Sequence, residues 1–185
     1  MISKKKQSRK QNRTLFLVVI FFILGLSVSF VFQKLNRKSG SESPLKNNAL
    51  ISMTSDKKSV NAGDEFTVTL TLDSKANEVA AADFVIRFDP EYLKVISVTS
   101  GNFFNNYPVN TSGNDYVRIS GVATFDGDTL ILPKGTASVG FIKFQSLGNK
   151  GQAVISFDKV KTIVATSGQD ILDRNSINKL DVQVI

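Results

Sequence analysis

Cysteine, histidine and tryptophan are all absent from the 185 residues. Without cysteine there are no disulfides and no lipid-modified leader, so any folded part must be held by its apolar core. The commonest general base and the thiol nucleophile are missing with histidine and cysteine, and so are the usual zinc ligand sets. Without tryptophan the chain also lacks the side chain best suited to stacking on a sugar face. After residue 49 no stretch keeps a helical period. The basic character, pI about 9.6, is not spread along the chain. Residues 1–48 hold ten Lys or Arg against one Glu, a net +9, whereas residues 49–185 hold thirteen against fifteen Asp or Glu, a net −2. The folded part therefore offers no basic patch by count, and nucleic acid is not expected as a partner.

The cations Lys4, Lys5, Lys6, Arg9, Lys10 and Arg13 precede an apolar run from Leu15 to Phe32. As a helix this run spans roughly 27 Å, close to the ~30 Å hydrocarbon core of a bilayer. The positive flank is expected to stay cytoplasmic. The reading is a basic flank over 1–14, one N-terminal transmembrane helix acting as a signal anchor over 15–32, a polar flexible linker over 33–48, and an extracellular domain over 49–185. A cleaved signal peptide is the competing reading. Its one small-x-small site is Ser27-Val28-Ser29, and the run exceeds the ~7–15 residues of an ordinary signal core.

In Glu65–Leu72 the residues Phe66, Val68, Leu70 and Leu72 fall on one face and Glu65, Thr67, Thr69 and Thr71 on the other, the period of a half-buried strand. Ala82, Phe84, Ile86 and Phe88 repeat it, as do Val117 and Ile119, then Ala153, Ile155 and Phe157, then Leu180, Val182 and Val184. Further strands are expected at Leu50–Thr54, Leu93–Thr99 and Ser138–Ser146. Turn residues separate the runs, among them Asn61-Ala62-Gly63-Asp64, Asp89-Pro90 and Gly127-Asp128. Eight or nine short strands predict an all-β antiparallel sandwich or jelly roll. About 137 residues can bury roughly two-thirds of their unfolded surface, enough to fold without disulfides.

Three stretches resemble the cohesin domain family. Val60-Asn61-Ala62-Gly63-Asp64-Glu65-Phe66-Thr67-Val68 is similar to its opening V-x-x-G-D-x-F-x-V. Ala82-Asp83-Phe84-Val85-Ile86-Arg87-Phe88-Asp89-Pro90-Glu91-Tyr92-Leu93 is similar to its central A-D-F-x-x-x-Y-D-P-x-x-L. Gly135–Phe144 is similar to its G-x-x-x-x-I-x-F strand. The resemblance implies a nine-stranded jelly roll whose best-known members bind dockerin modules of polysaccharide-degrading enzymes on the outer face of one sheet. Asp83 matches an acidic contact residue of the strand concerned. The position two before it, typically Asn in those binders, is Ala81, and a later acidic contact aligns with Thr124 or its neighbours.

Alternation puts Ala81, Asp83, Val85 and Arg87 on the outer face of that strand, with Val122 and Thr124 outward on a later one if Gly121 and Ala123 point in. This gives a candidate protein-docking patch with an apolar centre at Ala81, Val85 and Val122 and a polar rim at Asp83 and Arg87. Other candidates are weaker. Phe103, Phe104 and Tyr107 in the Gly101–Asp115 loop could stack on glycans or could plug the end of the sandwich. Asp126 and Asp128 could hold Ca²⁺, although two carboxylates across a glycine more often form a solvated turn. Most of the fifteen acids fall in turns or outward strand positions, and a sandwich of this size seldom holds the cleft that a glycosidase carboxylate pair needs. No enzyme activity and no cofactor are therefore expected. The expected function is a surface-tethered docking module for a dockerin-like protein, with a carbohydrate-binding module and a ligand-free stalk domain as alternatives.

Overall fold

The computed structural model describes residues 48–185. The basic flank at 1–14, the membrane segment at 15–32 and the linker up to residue 47 lie outside the described residues.

Two sheets form the sandwich, antiparallel except for one short parallel edge strand in the second. The first runs β1 (Leu50–Ser55), β3 (Glu65–Asp73), β10 (Thr136–Ser146), β5 (Leu93–Ser100). The second is centred on β4 (Ala81–Phe88). One edge of β4 pairs with β7 (Tyr116–Val122), and β6 (Asn106–Ser112) lies beyond it. The other edge is shared by β11 (Gly151–Phe157), which takes Ile86–Phe88, and β12 (Ile163–Thr166), which takes Ala81–Asp83. β14 (Lys179–Val184) continues outward from β11 to the parallel β2 (Ser59–Val60), and β13 (Gln169–Asp170) borders β12. A separate ribbon is made by β8 (Thr124–Asp126) and β9 (Thr129–Ile131).

The strand count exceeds the expected nine because several pieces are only two or three residues long, and because one long strand line is broken between β11 and β12. The inward faces follow the alternation. Phe66, Val68, Leu70 and Leu72 of β3 and Ala82, Phe84, Ile86 and Phe88 of β4 are all buried. Each of these side chains other than Ala82 contributes about 1.5–3 kcal/mol on burial. Phe144 of β10 stacks on Phe66 at 5.6 Å and meets Phe88 edge-on at 5.3 Å, so one ring couples the two sheets. On β5 a bulge beside Lys143 and Phe144 skips Ile96 in the pairing and leaves it exposed.

Candidate functional site

β4 is paired along both edges, so its outer side chains sit at the middle of the second sheet's solvent face. The register with β7 sets Ala81 opposite Val122, Asp83 opposite Ser120, Val85 opposite Arg118 and Arg87 opposite Tyr116. Directly opposed residues of an antiparallel pair share a face. Gly121 points inward as anticipated: a Cβ there would lie 2.1 Å from the Phe104 ring, so only glycine leaves room for that ring. Ser120 and Val122 are consequently turned outward.

Arg118 grips Asp83 with two donors, Nε to Oδ1 at 3.0 Å and Nη2 to Oδ2 at 2.7 Å, and the Ser120 hydroxyl donates to Oδ1 at 2.9 Å. These bonds to Asp83, with its charge, raise the Arg118 pKa above its already high ordinary value. Arg87 donates from Nη1 to Asp115 Oδ2 at 2.8 Å, places Nε 3.5 Å from Asp158 Oδ2, and lies over the Tyr116 ring at 5.7 Å. Between the two arginine pairs is an open depression of about 480 Å³ floored by Val85, with Lys161 at its rim. Its carboxylates are all bound by arginine, and none is left as a free acid or base. Asp158 is pulled two ways. Burial disfavours its charge, but the N–H groups of Lys161 and Val160, with help from the Lys161 and Arg87 charges, outweigh this and hold its pKa below the usual 3.8.

Lys161 belongs to the segment that breaks the strand line. Residues 158–162 arch away from β4 between β11 and β12. The Asp158 N–H donates to the Val85 carbonyl at 2.7 Å. The Thr162 hydroxyl accepts from the Val85 N–H at 3.2 Å and donates to the Val85 carbonyl at 3.3 Å. Val85 is only 6 % exposed, set low in the depression that Arg87, Arg118 and Lys161 help to line. This corrects the expected apolar centre: Val85 faces outward but is recessed in the depression and does not stand on the surface. Ile163, one residue past the arch and opposite Asp83, is 40 % exposed and takes that place.

Thr124 is also displaced from its expected position. β7 ends at Val122; the Ala123 N–H donates to the Ala80 carbonyl and the chain then leaves the sheet, so Thr124 pairs with Ile131 in the ribbon instead. Phe103 and Phe104 are 5 % and 3 % exposed, meet each other and Tyr107 edge-to-face, and belong to the core, with Tyr107 packed against it. They plug the sandwich and form no exposed platform. Asp126 and Asp128 flank Gly127, whose φ of 58° makes the turn of the ribbon, and among the described residues no three acids are grouped to hold a metal. Sequence reading missed the roles of Arg118, Ser120 and Asp115. Arg118 and Ser120 were visible as the outward half of an alternation, but only the register pairs them with Asp83.

The sequence matches the cohesin domain family over residues 51–180, well over half of the chain. Comparison with curated proteins finds no match. Solved structures share the fold at low identity. CaCohA2 from Clostridium acetobutylicum is 21 % identical with a TM-score of 0.58, over 72 % of this chain and 91 % of that one. The third cohesin of ScaC from Acetivibrio cellulolyticus, solved in complex with the ScaB dockerin, is 20 % identical with a TM-score of 0.56, over 72 % and 99 %. A type II cohesin domain from the cellulosome of the same organism is 14 % identical with a TM-score of 0.56, over 72 % and 94 %. A two-sheet sandwich of this pairing, with the A-D-F strand at the centre of one face, and the match across residues 51–180 together establish that this chain belongs to the cohesin domain family.

Proposed function

We propose that this chain is a non-catalytic docking module, anchored in the cell membrane by residues 15–32 with its cohesin domain outside, and that its partner is a dockerin-like protein module of a polysaccharide-degrading system. The partner docks on the outer face of β4, β7 and β12. The observation that carries this reading is the composition of that face. Small or branched apolar side chains at Ala81, Val122 and Ile163 surround an Asp83 already fixed by Arg118 and Ser120. A rigid acceptor amid apolar surface, with Asp83 and Arg87 both held in ion pairs, suits a protein interface. The solved ScaC cohesin in complex with a dockerin adds support by analogy.

The test is calorimetric titration of the full chain, kept in detergent micelles, with a panel of recombinant dockerin modules. At least one should bind. Ala81→Glu with Ile163→Glu should then weaken it by about tenfold or more, the scale of losing interface anchors. The melting midpoint should hold, because both positions face solvent. Binding by the double variant equal to wild type would move the contact surface elsewhere.

A further inference from the structure

The arch at 158–162 carries Val160, the most exposed of the large apolar side chains among the described residues at 84 %. Such exposure is unusual in a segment so firmly held. Asp158 Oδ1 accepts from the Val160 N–H at 3.1 Å and the Lys161 N–H at 3.2 Å, and the Thr162 N–H returns to the Asp158 carbonyl at 2.9 Å. Thr162 is fully buried and bonded to Val85. Beneath the arch Arg174 donates to the carbonyls of Lys159 and Thr162, and is itself held by Asp170 at 2.5 Å. Arg87 reaches Asp158 from the other side. The tip therefore has its shape before any partner arrives.

Its charge is equally defined. Lys159 and Lys161 flank Val160, and neither forms an ion pair among the described residues. The acids nearby, Asp83, Asp115, Asp158 and Asp170, are each bound by arginine. The arch thus presents an apolar knob between two cations that form no ion pair among the described residues, beside the exposed Ile163 on the docking face.

We propose that the arch is a preformed specificity element: Val160 enters an apolar recess on the protein partner, Lys159 and Lys161 pair with acidic side chains around that recess, and Arg174 is the positioning residue that keeps the knob in place. This rests on the docking reading above and names the chemistry of the partner, an acidic surface around an apolar hollow. Preorganisation spares the partner the cost of ordering the segment, and exposed rim charges act mainly on encounter rate and its salt dependence.

The experiment uses the full chain in detergent and whichever dockerin of the panel binds the wild type. Val160→Asp should weaken binding by about tenfold or more with an unchanged melting midpoint. Lys159→Glu with Lys161→Glu should slow association and flatten or invert its salt dependence. Arg174→Met should weaken binding and also speed hydrogen exchange at the Val160 and Lys161 amides, which a residue that only supports the sandwich would not do selectively. Val160→Asp binding within about twofold of wild type, or an unchanged salt slope in the lysine variant, overturns the inference while leaving the docking reading intact. If no dockerin binds the wild type, the docking reading falls and this inference falls with it.

Discussion

Replacing Thr162 by valine removes one oxygen and keeps the shape of the side chain. In the native domain that hydroxyl is the partner of the Val85 N–H at 3.2 Å, at a point where β11 has already left β4 and β12 has not yet joined it. The Val85 carbonyl would lose less, because it also accepts from the Asp158 N–H at 2.7 Å. The net effect is one buried N–H left without a partner, which costs about 1–3 kcal/mol. For a domain of this size that is a drop in melting midpoint of roughly 3–12 °C. Denaturant unfolding followed by far-ultraviolet circular dichroism measures the first quantity and needs no tryptophan. Thr162→Ser is the control: it keeps the oxygen and loses a methyl, so it should cost less than the valine variant, and the Val85 amide should exchange quickly only in valine. If valine costs under about 0.5 kcal/mol, or serine costs more than valine, the hydroxyl is not what ties the arch to β4.

Three other outcomes are expected. Phe84→Ala, at a fully buried site on β4, should cost about 3–5 kcal/mol in the same unfolding assay. Because the folded-state pKa of Asp158 is lowered, the stability it lends is complete above its unfolded pKa and is lost as pH falls through the folded value; the midpoint gap between wild type and Asp158→Ala should therefore be steady near neutrality and shrink below about pH 4. On the anchor reading, the full chain should stay in the membrane pellet after carbonate washing with residues 49–185 open to external protease, and a soluble form beginning near Phe30 would show cleavage instead.

Period-two alternation was enough to place the buried faces of β3, β4, β7 and β11, because each has one wet side and one dry side and a slip of one residue would reverse them. The same rule found the outward set of β4. It failed at Val85 for a physical reason: alternation tells which face a side chain is on, but not whether longer neighbours rise around it, and here Arg87, Arg118 and Lys161 do. Residues 158–162 show no period of their own, since Asp-Lys-Val-Lys-Thr pairs with nothing and is held by side-chain and turn hydrogen bonds. The ribbon of β8 and β9 escaped notice because three-residue strands are too short for a pattern, although Gly127-Asp128 marked its turn. Phe103 and Phe104 look alike whether they plug a core or face solvent; Gly121, which gives Phe104 its space, was the residue that could have decided between them.

The position of β14 has a consequence for how the domain is made. Residues 179–184 lie between β11 and β2 and pair with both, yet synthesis delivers them after the other strands of the sandwich. Until they arrive, β11 keeps one open edge, and the inward row of Ala153, Ile155 and Phe157 lacks the cover of Val182 and Val184. An unpaired edge beside bare apolar surface is the combination most prone to joining a neighbouring chain. Pairings so distant along the sequence also form slowly, because the loops must close before the contacts repay them. Assembly of this domain thus has a built-in waiting period that ends only when residue 184 has emerged, and truncations that remove these residues should yield aggregates sooner than they yield a weakened sandwich.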